Sequence, residues 1–196
     1  VTGISEIGDF KNKVLFKSLR TKTKKVFSPE AAFLISHILS DNNARSEIFG
    51  PNSYLKIPGK TVAVKTGTTN DMRVNWAVGY TISITVGVLT GNNDNSPMNP
   101  KIASGSTGAS SIWYRLMREL LNLPGGRQGK YPDGIMDKPD KVKAVTIDSY
   151  LGGLPKDGFP TRSEYFIEGT EPKEISPFYK RLKISKANGK LANEVE

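Results

Sequence analysis

Three groups of reactive side chains crowd into residues 40–68: Ser40-Asp41-Asn42, Ser53-Tyr54-Leu55-Lys56 and Lys65-Thr66-Gly67-Thr68. The third ends a run rich in β-branched residues, "TVAVKTGTT". A peptide whose terminal carboxylate is held while its amide is attacked needs a fixed cation, hydroxyl donors and a backbone N–H aimed at the developing oxyanion. Lys65 offers the cation, Thr66 and Thr68 the hydroxyls, and the Thr68 N–H half of an oxyanion hole. Gly67 puts no side chain in the way of an approaching backbone. Side chains alternate across a strand, so Lys65 and Thr66 point to opposite faces. One ligand reaches both only by lying along a sheet edge, which predicts an edge strand that takes a peptide by β-addition. Arg73 and Asn75 follow closely, are polar, and are expected on a hairpin loop where they shape the cleft.

The other two groups have simpler readings. A serine and a lysine three residues apart share a face only in helical backbone, where the amine can take the hydroxyl proton. Ser53 and Lys56 lie between Pro51 and Pro58, which leaves room for a single turn. Ser40, Asp41 and Asn42 read as the polar C-terminal end of a helix. Both groups are therefore decoys on this reading.

The elements that must position the third group follow from periodicity and punctuation. Ser28 can cap a helix, Pro29 suits its first position, and Glu30 favours its positive end. Ala31, Leu34, Ile35, Ile38 and Leu39 recur at helical spacing and predict the buried face. "FGPNSYLKIPGK" is a connecting loop. Thr61 to Thr68, "NWAVGYT" and "ISITVGVLTG" follow at hairpin distances and predict three antiparallel strands. After the polar loop "GNNDNSPMNP", Ala109 to Leu121 shows Ile112, Leu116 and Leu120 at spacing four, with Trp113 and Met117 beside them, and predicts a core-facing helix. Residues 1–27 read as loops with one short helix. "KVKAVTIDS" and "RSEYFIEGTEP" read as short strands. The fold class is α+β, an antiparallel sheet packed by helices. Three parts are expected: residues 1–123, a Gly/Pro-rich linker over 124–141, and a small basic extension over 142–196.

Composition narrows the chemistry. The 196 residues carry a formal charge of +9 and no cysteine, so disulfides and thiol nucleophiles are excluded. His37 is the only histidine, which rules out a multi-histidine zinc site, and it reads as a partly buried, hydrogen-bonded residue. Gly59-Lys60-Thr61 resembles a P-loop, but Tyr54 stands where its leading glycine is required. "NNDNSPMNP" has oxygen side chains at calcium-like spacing without the central glycine and closing glutamate. No metal and no cofactor are expected. Lysines are spread rather than interleaved with aromatics, so a solvated basic surface is favoured over nucleic-acid binding. Trp76, Tyr80 and Trp113 are assigned to the core rather than to a groove. No run of about twenty apolar residues is present, so any membrane anchor is expected upstream. A start at Val1 and an end in "KANGKLANEVE" suggest a fragment of a longer protein.

The strings "FSPEAAFLISHILSDNNARSEIFGPNSYLKIP", "VAVKTGTTNDMRVNWAVGYT", "GNNDNSPM" and "SGSTGASSIWYRLM" resemble, in order and spacing, the transpeptidase domain of bifunctional (class A) penicillin-binding proteins. "SEYFIEGTEP" is similar to the tail that follows that domain. Val74 departs from the family's usual acidic residue before Asn-Trp, and "VGVLTGNND" lacks its usual tryptophan. The resemblance implies a partial serine β-lactamase/transpeptidase-like fold. It implies that a D-Ala-D-Ala stem peptide of peptidoglycan acylates a serine and passes to an amine, that β-lactams acylate the same serine, and that the site faces outward from the cytoplasmic membrane. Lys65, Thr66, Gly67 and Thr68 would bind substrate. That family's signature is Ser-x-x-Lys, Ser-x-Asn and Lys-Thr-Gly, with the serine of the first motif as nucleophile. In the family the nucleophile comes first and the others follow at long intervals. Here Ser-Asp-Asn precedes Ser-x-x-Lys, which strengthens the decoy reading. The chain alone is therefore expected to be inactive, with the nucleophile on a missing N-terminal part of the same domain as its partner. The alternative is a non-catalytic module that keeps the fold and holds wall polymer or a protein.

Overall fold

A computed structural model describes residues 4, 6–18, 24–101, 107–121, 131–175 and 182–192. Its centre is a three-stranded antiparallel meander, β3 (Ala63–Thr68), β4 (Val74–Tyr80) and β5 (Thr85–Gly91), in that spatial order. Gly67 faces Trp76 across β3 and β4, and Trp76 faces Leu89 across β4 and β5. Because side chains alternate, Asn75, Ala77 and Gly79 share one face of β4 while Trp76, Val78 and Tyr80 share the other.

The first face is closed by α3 (Ala109–Leu121). Its Trp113 and Met117, both without exposed surface, join Ala77, Val62, Val64, Leu55, Ile57 and Ala109 in the core. The helix comes so close that a Cβ on Gly79 would sit 2.3 Å from the Trp113 ring and 2.8 Å from the Ala63 carbonyl. The inward stripe is thus Ala109, Trp113 and Met117, not Ile112 and Leu116, which are each 46% exposed. Spacing four fits both stripes equally; the larger aromatic side chain takes the inside.

A similar reversal occurs on α1 (Pro29–Ser40). The Ser28 hydroxyl accepts from Ala31 N and Pro29 opens the helix as expected. The buried residues are Phe33 and Ser36, whose hydroxyl pairs with the Tyr80 hydroxyl at 3.0 Å. Ile35 and Ile38 remain mostly exposed. A second helix, α2 (Asn42–Phe49), follows a single hinge residue, Asp41. Asp41 closes α1 with its backbone N–H and opens α2 by accepting from Asn43 N and Ala44 N.

Residues near the start form a hairpin, β1 (Glu6–Gly8) with β2 (Val14–Lys17), rather than loops with a short helix. The Asp9 carboxylate accepts from Lys11 N and Lys13 N, and Asn12 takes a positive φ, which makes the turn. A second hairpin, β6 (Val142–Asp148) with β7 (Thr161–Ile167), lies where two short strands are expected. It packs on α1 through Tyr165, whose ring lies 4.8 Å from His37 and 5.6 Å from Phe33. His37 is thus held by rings; among the described residues its imidazole makes no hydrogen bond. Part of the expected linker is built into the sheet end: Gly134 N donates to Thr61 O and Gly134 O accepts from Ile82 N, in place of the next ladder rung. Asp133 accepts from Thr61 N and pairs with Lys60. Residues 142–196 carry nine Lys and Arg against eight Asp and Glu, so the excess positive charge lies elsewhere in the chain.

Candidate functional site

Strand β3 has two unlike ends. Ala63 and Val64 are buried, whereas Lys65, Gly67 and Thr68 are exposed and Thr66 is 8% exposed. Thr69 N donates to Val74 O at 3.0 Å, so the hydrogen-bonded rungs of this antiparallel pair fall on Gly67–Trp76 and Lys65–Val78. Thr66 and Thr68 therefore turn their N–H and C=O groups toward the outer edge of β3, which pairs with no strand among the described residues. Lys65 reaches around the same edge, with Nζ donating to Thr66 O at 2.6 Å. The result is a cation, two hydroxyls and two outward backbone N–H groups along one free strand edge.

Beside that edge α1 and α2 wall a cleft of about 290 Å³, lined by Leu39, Arg45, Ile48, Leu55, Lys65 and Thr66 among others. Arg45 brings a second cation that no pattern in the sequence singles out. Its guanidinium bonds Leu39 O and Asp41 O at the end of α1, and burial pushes its pKa down, opposed by Asp41. The one signal that could find it is the helical phase of α2, a helix too short to show clear periodicity.

Asn75 is not on a loop. It lies within β4 and has no exposed surface. Its Nδ2 donates to Gly67 O at 3.2 Å and to Thr68 Oγ1 at 2.8 Å, and its Oδ1 accepts from Ala109 N at 2.7 Å. Arg73 does lie in the β3–β4 turn, where its side chain donates to Asn95 O and pairs with Asp71. Met98 N donates to Met72 O, so the loop after β5 is tied to the same turn. The turn itself is organised by Thr69, whose hydroxyl accepts from Arg73 N and Val74 N at 3.0 Å each.

The two remaining motifs are occupied locally. Ser53 Oγ accepts from Leu55 N within one turn closed by Lys56 N and Ser53 O, and among the described residues no hydrogen bond joins Ser53 Oγ to Lys56 Nζ. Ser40 Oγ donates to His37 O, and Asn42 Nδ2 donates to Pro51 O. Among the aromatics, Trp113 is core, Tyr80 is half-buried, and Trp76 is 46% exposed, against the expectation that it would be core. Trp76, Val78 and Leu89 lie together on the sheet face that carries Lys65 and Gly67. Among the described residues no cluster of acidic and histidine side chains could hold a metal ion.

Residues 138–181 match the family model "Penicillin-binding protein 1A, C-terminal domain". Penicillin-binding protein 1A of Clostridium botulinum is 31% identical over 198 aligned residues, covering 97% of this chain and 22% of the relative. Its counterpart in Clostridium tetani is 31% identical over 89% of this chain and 21% of its own length. Penicillin-binding protein 2D of Bacillus subtilis is 27% identical over 89% and 24%. The chain thus spans about a fifth of the length of these relatives. A crystal structure of penicillin-binding protein 1A from Haemophilus influenzae shares the fold, with a TM-score of 0.57 at 23% identity over 87% of this chain and 29% of that one.

Proposed function

The chain is a relative of the class A penicillin-binding proteins of the 1A type, and from that kinship we propose that it forms one wall of a peptidoglycan D,D-transpeptidase site. The observation that carries this reading is the position of Lys65-Thr66-Gly67-Thr68 on a strand edge that pairs with no strand among the described residues, with the lysine exposed and the Thr66 and Thr68 N–H groups turned away from β4. A stem peptide, or a β-lactam in its place, would lie along β3 as an added strand. Its carboxylate would meet Lys65 and the Thr66 and Thr68 hydroxyls, and the Thr68 N–H would face the carbonyl oxygen that becomes an oxyanion. Gly67 supports the reading in a different way: a Cβ there would meet only Trp76 Cβ at 3.9 Å, an ordinary contact, so packing within the chain does not require a glycine.

The serine that is acylated would come from sequence outside these 196 residues, since Ser40 and Ser53 are engaged in local turns. The rest of the parent domain would cover the exposed stripe of Ile35, Ile38 and Ile48 and the open sheet face of Trp76, Val78 and Leu89. In that reading residues 1–123 belong to the transpeptidase domain, the segment from 142 onward is an extension docked on α1, and the site faces outward from the membrane that anchors the parent.

Intact-mass spectrometry after incubation with a reactive penicillin tests the proposal. The full-length protein should gain one adduct, on a serine outside residues 1–196, and Lys65→Ala should slow its formation at least tenfold, as loss of a charge-assisted contact does. The chain 1–196 alone should gain none. An adduct on Ser53 would overturn the assignment of the nucleophile, and a full-length protein that holds stem peptide but never acylates would be a binding module instead.

A further inference from the structure

Asn75 is a buried carboxamide whose two amide hydrogens and oxygen are all hydrogen-bonded. Such a group is destabilising unless its donors and acceptor are matched. Ala109 N can only donate and Gly67 O can only accept, so the carboxamide has one allowed orientation, with Oδ1 toward α3 and Nδ2 toward β3. Thr68 Oγ1 therefore receives the amide proton at 2.8 Å, and its own hydrogen must point away from Asn75. Among the described residues no acceptor takes that hydrogen, and Thr68 is exposed. The fit is close on the other side as well: a Cβ on Gly108 would lie 2.7 Å from Asn75 Oδ1. A glycine at 108 is what lets the start of α3 descend onto the carboxamide.

We propose that Asn75 is a positioning residue: by donating to Thr68 Oγ1 it turns the Thr68 hydroxyl hydrogen outward and makes Thr68 a committed donor to a ligand carboxylate. The inference rests on the carboxylate-binding part of the function proposed above. A threonine hydroxyl without this neighbour rotates freely and is as ready to accept as to donate. With Asn75 in place the hydrogen is already turned outward, so donation to an anion requires no reorientation. The same carboxamide joins the triplet strand to the first turn of α3, so the donor is held by the buried core and not by a surface loop.

The test uses the full-length protein, with D-alanyl-D-alanine as the carboxylate probe, read by the fluorescence of the neighbouring Trp76, and penicillin adduct formation measured separately. Asn75→Asp puts an oxygen where Nδ2 stood; it keeps the acceptor for Ala109 N but takes the Thr68 hydrogen inward. It should weaken dipeptide binding roughly tenfold, as loss of a hydrogen bond to a charged group does. Thr68→Val should weaken it to a similar degree, and the double variant should be no weaker than Thr68→Val alone. If Asn75→Asp does not melt cooperatively, Asn75→Ala replaces it, with a loss of roughly threefold that disappears in the Thr68→Val background. Wild-type affinity in the Asn75 variant overturns the proposal. So does a further loss in the Thr68→Val background, which would assign the effect to added charge or general damage. A wild-type protein that binds the dipeptide but is never acylated by penicillin sinks the transpeptidase reading, while the double-variant cycle still decides the role of Asn75. A wild-type protein that binds no dipeptide overturns both.

Discussion

The two faces of the β3–β4–β5 meander are built from the same strands and have opposite characters. The face of Asn75, Ala77 and Gly79 is sealed by α3, with Trp113 and Met117 fully buried. On the face of Lys65, Gly67, Trp76 and Val78, α1 reaches Tyr80 and the β3 side, while Trp76 and Val78 keep 46% and 39% of their surface exposed. On the sealed face the chain supplies its own partner, and glycine is demanded by contact, as at Gly79. On the open face glycine is tolerated without being demanded, as at Gly67. The first face accounts for the packing of the meander; the second leaves apolar side chains without a partner among the described residues.

Substitutions on the two faces should separate these roles. The largest effect is expected from Trp113→Ala, which should destabilise by about 3–5 kcal/mol as a large aromatic is removed from a close-packed core; denaturant titration measures it. Gly79→Ala should cost about 3 kcal/mol, because the new methyl meets the Trp113 ring and the Ala63 carbonyl rather than a flexible side-chain end. If Gly79→Ala melts like the parent, the sealed face is looser than described. Trp76→Ala, in contrast, should cost about 1 kcal/mol or less in the chain 1–196 and about 3 kcal/mol in the full-length protein, if the open face is covered there. Equal losses in both would mean that nothing covers Trp76. Gly67→Ala should leave stability within about 0.5 kcal/mol, since its backbone is not left-handed and the added methyl makes only an ordinary contact with Trp76 Cβ, yet slow penicillin acylation severalfold.

The smallest effect lies off both faces, at the start of α1. Its own backbone N–H, and then the Ser28 hydroxyl, hold the Glu30 carboxyl below its ordinary value. A depressed folded-state pKa gives stability that is present above the ordinary carboxylate value and lost as pH falls through the lowered one. Glu30→Gln should therefore flatten a slight acid dependence of the melting temperature below pH 5, and a variant that keeps the full slope would remove Glu30 from the account.

Much of the fold is legible in the sequence because it rests on local signals. Ser28-Pro29-Glu30 marks a helix start whatever surrounds it, and the β-branched run before Lys65 marks a strand. The three-strand meander follows from strand lengths and hairpin distances. The helix α2 is not legible, since Asp41 reads as a stop while its side chain in fact begins the next helix. The burial sides of α1 and α3 also differ from those the spacing suggests. Periodicity gives a helix two candidate stripes when apolar residues occupy both, and Ile35 and Ile112 compete with Phe33 and Trp113 for the inside.

The candidate site divides in the same way. Residue types and alternation along one strand are enough to group Lys65, Thr66, Gly67 and Thr68 and to set Lys65 and Thr66 on opposite faces, because a strand's side-chain period is fixed by backbone geometry. Which edge of β3 stays open depends on what pairs with β4, which is a property of the sheet and not of the segment. Arg45 reaches the cleft only because Asp41 bends α1 into α2. Asn75 reads as one more polar residue after a turn until α3 arrives, 34 positions later in the chain, to give its carbonyl oxygen a donor. The sequence by itself determined the chemical groups and their phase along the strand. Only the tertiary structure decided which of them are buried, which are free, and which way the Thr68 hydroxyl hydrogen points, because those depend on contacts between segments that no local pattern records.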